Sequence, residues 1–105
     1  MELDEIELHD GLIKNMIFDY IARLIVIEVE YYKKHGDKKR YKGKILFEGV
    51  NFATQICDFA VMEKNAFAGN INHWTPAVDE GKTYIYLVDG CISIESTKVL
   101  FESDK

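Results

Sequence analysis

The 105-residue sequence predicts one mainly β domain, an antiparallel sheet or sandwich of about seven strands. Three observations predict it. YIYLVDGCISIES (84–96) sets Asp-Gly between two alternating runs, a strong short-range hairpin signal. RLIVIEVEYY (23–32) places Ile25, Val26, Ile27 and Val29 close together, and β-branched residues in such a run disfavour a helix. Elsewhere, short alternating runs are separated by polar or glycine-containing turns, with one Pro in the chain and no linker, so residues 1–105 read as a single domain.

Taken in order, Leu12 to Phe18 forms a strand that turns through Asp19 to Ala22. In the next strand Ile25, Ile27, Val29 and Tyr31 point one way and Glu28 and Glu30 the other, by the period-two rule. KGKILFEGV (42–50) follows a charged loop, with Ile45 and Phe47 inward and Lys44 and Glu48 outward. These three strands predict a meander. NFATQICDFAVMEK (51–64) fits both periods: Phe52, Ile56, Phe59 and Glu63 have helical spacing with Asn51 as a cap, while a strand is equally compatible. A short strand through Asn70 to Trp74 breaks at Pro76, and the polar loop AVDEGK leads into the hairpin. There Asp89 and Gly90 are expected to form a two-residue turn with positive φ at both positions, pairing Leu87 with Ile92 and Ile85 with Ile94 on the core face. KVLFE (98–102) closes the sheet.

Composition narrows the function. No apolar run approaches the roughly 20 residues of a membrane helix and the N-terminus MELDEIELHD is acidic, so neither a membrane helix nor a secretory leader is expected and the chain reads as cytoplasmic. Cys57 and Cys91 lack a CxxC partner and read as reduced thiols. The net charge is −5, but unevenly spread: Glu2, Asp4, Glu5, Glu7 and Asp10 crowd the first ten residues, and KKHGDKKRYKGK (33–44) is basic. The basic stretch reads as a solvated hairpin loop, because the chain is acidic and has no nucleic-acid reader motif. No nucleic-acid or membrane partner is expected.

His9-Asp10-Gly11 invites a metal reading, but three scattered His offer no converging ligand set. Asp10 and Gly11 read instead as a structural turn, like Asp89 and Gly90. No G-x-S-x-G elbow, Cys signature or phosphate-cradling glycine loop appears, which leans away from an enzyme and implies no metal or other cofactor. NAFAGNINHW (65–74) gathers three Asn, a Gly, a His and the chain's one Trp. Asn65, Gly69 and Asn70 suit a tight corner, whereas Asn72, His73 and Trp74 could form a recognition surface.

LHDGLIKNMIFDY, followed by RLIVIEVE and KILFEGV, resembles the opening half of a loose group of small bacterial β proteins. Some of its members are immunity proteins of toxin systems, and the likeness carries over no catalytic residue. The resemblance implies a neutralising interaction protein, and an acidic chain suits a basic partner. Glu28, Glu30, Asn72, His73 and Trp74 are the candidate surface, and a homodimer is left open. The alternative is a small-molecule binding protein or minor enzyme with a pocket near His9, His73 and Trp74.

Overall fold

The computed structural model describes residues 3–34 and 36–103. Glu2 of the acidic N-terminus and His35 of the basic loop lie outside the described residues. Strands β1 (Leu12–Asp19), β2 (Leu24–Tyr31) and β3 (Tyr41–Glu48) form the expected antiparallel meander. Strand β8 (Lys98–Ser103) completes this first sheet in the order β1-β2-β3-β8. The second sheet, also antiparallel, runs β4-β7-β6-β5, from β4 (Phe52–Cys57), β7 (Gly90–Ser96), β6 (Gly81–Leu87) and β5 (Ile71–Thr75). Helix α1 (Phe59–Lys64) and a 3-10 turn at Leu3–Glu5 complete the described elements. No helix among the described residues is long and apolar enough to cross a membrane.

The two sheets share a corner. The β3–β4 segment stays hydrogen-bonded to the β7–β8 segment as both pass from one sheet to the other, with Thr97 N–H donating to Glu48 O at 3.1 Å and Asn51 N–H to Glu95 O at 2.9 Å. Gly49 makes the bend with φ +63°, and a Cβ there would overlap the Thr97 hydroxyl. The inner faces of the two sheets then close on one hydrophobic cluster. Ile25, Ile27, Val29 and Tyr31 alternate into it from β2, as the sequence predicts, and Ile45 and Phe47 enter from β3. Ile85, Leu87, Ile92 and Ile94 face them from the second sheet. Buried polar side chains are paired: Thr83 Oγ1 accepts from Ala77 N–H at 3.0 Å, and Tyr31 donates to Ser103 at 2.6 Å.

Two sequence expectations change. Residues 51–64 are both a strand and a helix: β4 ends at Cys57 and α1 begins at Phe59. Asp58, not Asn51, is the cap, its carboxylate accepting from Val61 N–H at 3.1 Å. Asn51 instead sits at the corner.

The turn at Asp89-Gly90 is also displaced. Leu87 pairs with Gly90, so Val88 and Asp89 form the loop and Gly90 is the first residue of β7. Neither Asp89 nor Gly90 has positive φ. Ile85 faces Ile92 rather than Ile94, a slip of two residues that leaves every side chain on its expected face. The cause is tertiary. Gly90 also pairs with Cys57 of β4, so closely that a Cβ would overlap the Ile56 carbonyl. Glycine is needed there for the approach of a third strand.

Gly90→Ala is therefore expected to destabilise by about 1–3 kcal/mol through overpacking, although φ there suits any residue. Asp89→Ala at the exposed turn should stay within about 0.5 kcal/mol. Urea denaturation of the two variants checks the contrast.

Candidate functional site

The two polar motifs of the sequence meet each other. Asp10 takes left-handed backbone, φ +63°, and its N–H donates to Ile71 O at 2.9 Å. Gly11 accepts from both Asn70 N–H and Ile71 N–H through its carbonyl oxygen. A Cβ on Gly11 would lie 2.9 Å from Leu8 O and 3.0 Å from Glu30 O, so the chain passes between two backbones there. Opposite it, Gly69 has φ +117° and leaves no room for a Cβ against the Asp10 carbonyl. Asn70 is 4% exposed, and its side-chain oxygen accepts from Ile13 N–H at 3.0 Å. Arg40, from the basic loop, donates to the carbonyls of Asp10 and Phe67 and stacks on Tyr32. Gly69 and Asn70 thus build a clamp that fixes residues 8–13 against β5, while Asn65 caps α1, its side chain donating to Val61 O at 2.8 Å.

His9 lies beside this clamp and is largely exposed. Its Nδ1 is 2.7 Å from Asn72 O, and because a carbonyl oxygen only accepts, Nδ1 carries the proton. Its Nε2 stands 3.5 Å from the Asp10 carboxylate. Among the described residues, His, Cys, Asp and Glu form no group of three or more able to hold a metal ion.

His73 and Trp74 leave β5 on opposite faces. His73 is on the outer face and stacks on Tyr86, its cross-strand neighbour, with ring centroids 4.5 Å apart. Trp74 enters the core, 7% exposed, and its indole N–H donates to Ile6 O at 2.8 Å. Trp74 therefore ties the N-terminal segment to β5, with its polar atom already committed. Asn72 sits at an irregularity in the β5–β6 pairing and donates to Leu87 O at 3.3 Å.

The N-terminal segment, β5, the β5–β6 loop and the start of β8 enclose an open groove of about 950 Å³. Its walls are apolar, from Leu3, Ile6, Trp74, Ala77, Val78 and Val99, with Val78 87% exposed. Its ionised lining is acidic: Asp4, Glu7 and Asp79 against Lys98. His73 borders the same groove. The sequence did not single out Asp79, which reads there as one polar residue in the AVDEGK loop. Left-handed backbone at Asp79, φ 62°, shapes that loop.

Glu28 and Glu30 are elsewhere, on the outer face of the first sheet. Glu28 lies opposite Lys44, and Glu30 opposite Lys42. Lys14 borders the same shallow hollow, and Asn15 donates to Glu28 Oε1 at 3.0 Å. Cross-strand opposite charges of this kind stabilise a sheet face and leave it nearly neutral. The two glutamates are therefore separate from the surface that His73 and Trp74 border.

Both cysteines are free thiols and half-buried. Burial pushes the Cys57 thiol above its ordinary pKa, because desolvation disfavours the thiolate. No family model, curated protein or solved structure matches the chain.

Asn70→Ala removes the acceptor from the part-buried Ile13 N–H and should destabilise by about 1–3 kcal/mol. His9→Ala, at the exposed edge of the same clamp, should shift stability by less than about 0.5 kcal/mol, read from the same denaturation curves. In a Cys91→Ser background, the alkylation rate of Cys57 should rise with pH to a midpoint above that of a free thiol. The neutral thiol is the form the fold favours. Its contribution to stability should therefore be intact below the unfolded thiol's pKa and be lost as pH rises through the raised folded value.

Proposed function

We propose that the chain is a protein-interaction module that seats a basic, partly apolar segment of another protein in the groove beside Trp74. Acting as an immunity-like neutraliser in the bacterial cytoplasm is the setting this reading favours. The observation that carries it is the pairing of apolar walls with three carboxylates, Asp4, Glu7 and Asp79, against one lysine. Apolar area supplies affinity when water is excluded, and the carboxylates select a cationic segment and speed its approach. The net charge of −5 acts in the same sense at longer range. Glu28 and Glu30 contribute little to such steering, since Lys44 and Lys42 offset them locally.

Trp74 is the chain's one tryptophan and borders the groove, so its fluorescence reports occupancy directly. A peptide alternating Lys or Arg with Leu is expected to shift that emission, and a matched peptide with Glu in place of the bases is not. Binding should weaken as salt rises, and Glu7→Lys combined with Asp79→Lys should slow association at least tenfold. Glu28→Lys with Glu30→Lys should change it little. Equal binding of the acidic and basic peptides, or indifference to the groove reversal, would refute the proposal.

A further inference from the structure

Strand β4 is an edge of the second sheet, paired on one side to β7. Sheet edges are commonly protected by charge, and β1 carries Lys14 and Asp19 while β8 carries Lys98 and Glu102. FATQIC carries none. Phe52 is 65% exposed, Ile56 72% and the neighbouring Phe59 82%. An uncharged edge flanked by large exposed apolar side chains is a template for another strand.

We infer that β4 pairs antiparallel with β4 of a second copy of this chain, across a two-fold axis through Thr54. The register follows from symmetry. An axis perpendicular to the sheet brings outer-face residues opposite outer-face residues, and side chains alternate along a strand. The outer-face residues of β4 are Phe52, Thr54 and Ile56, which pair with Glu95, Ser93 and Cys91 of β7. Centring the pair on Thr54 uses the whole strand. It sets Phe52 opposite the second copy's Ile56, twice by symmetry, and Thr54 opposite itself.

Charge selects the same occupant. The register extends to Val50 opposite the second copy's Asp58. Arg23 is fixed at that end of β4, its Nε donating to Val50 O at 3.0 Å and its guanidinium bonding Asn51 Oδ1. Each Arg23 then meets the other copy's Asp58, an opposite-charge contact made twice. Beside Arg23 lies a hollow of about 350 Å³ lined by Phe18, Tyr20, Val50 and Phe52. The second copy's Phe59, next to its Asp58, is the apolar side chain delivered to it. Two copies of net charge −5 repel, and a strand without ionised groups lets them approach without like charges in register. The resulting sheet is continuous through both copies. It uses none of the groove residues, so this inference stands independently of the proposed function.

Sedimentation and light scattering of the full chain over micromolar to millimolar concentration test the inference. The mass is expected to rise towards twice that of the chain. Thr54→Lys, which sets two ammonium groups side by side at the axis, should leave a folded monomer whose melting temperature does not depend on concentration and matches that of dilute wild type. Thr54→Cys in a Cys57→Ser, Cys91→Ser background should cross-link under mild oxidation, because directly opposed strand residues lie within disulfide reach. A wild-type monomer at every concentration overturns the inference. So does a dimer that survives Thr54→Lys, a dimer whose Thr54→Cys form does not cross-link, or a monomer whose β4 edge takes only unrelated peptides.

Discussion

The bend at Gly49 and Thr97 is the constraint on which the rest of the structure depends. The two strands of one antiparallel ribbon, β3 into β4 and β7 into β8, turn there together while Thr97 and Asn51 keep them hydrogen-bonded. Because both strands of the ribbon turn, the edge strands β8 and β4 each continue from an inner strand of the other sheet, β7 and β3, and the inner faces of the two sheets oppose one another. The cluster of Ile27, Ile45, Phe47, Ile85, Ile92 and Ile94 follows from that opposition. A straight continuation would leave the same residues facing water on one side of a long flat sheet. Gly49 permits the alternative because its left-handed backbone and the Thr97 side chain occupy space that a Cβ would need.

Closing the sheets leaves the ends to be sealed, and the polar motifs serve that purpose. The segment from Ile6 to Gly11 lies against β5, held by the Trp74 indole at one point and by Asn70, Ile71 and Gly11 at another. Trp74, which looked suited to recognition, and Asn70, which looked suited to a tight corner, are both consumed in satisfying backbone groups. Buried amides without such partners would be expensive, so this use outranks any external contact. What remains accessible is the margin of the seal: a groove whose apolar walls belong to the core and whose rim belongs to the acidic N-terminus and the β5–β6 loop.

The charges divide in a similar way. On the outer face of the first sheet, Glu28 and Glu30 alternate with Lys42 and Lys44 across strands, and their fields largely cancel beyond the surface. Asp4, Glu7 and Asp79 converge from segments far apart in the chain and face Lys98 alone in the groove. Acidic side chains can therefore be mute on one face and directional on another, depending on what the neighbouring strand carries. At β4 the strand carries no charge at all.

The sequence by itself determined the elements and their inward faces. Alternation in 24–31, 41–48 and 84–96 was enough, because a side chain's face depends on local backbone geometry with period two. Even the misplaced hairpin turn kept Ile85, Leu87, Ile92 and Ile94 inward, since the slip was an even number of residues. The turn itself was decided by β4, whose approach to Gly90 outweighed the local preference of Asp-Gly. Residues 51–64 gave a mixed period because they hold two elements, divided at the Asp58 cap. The site was hardly legible. Asp79 and Glu7 are separated by most of the chain, and Glu28 and Glu30 looked like an acidic face because the lysines opposite them lie on another strand. Convergence and cancellation of charge are properties of pairs distant in sequence, and only the fold decides which pairs meet.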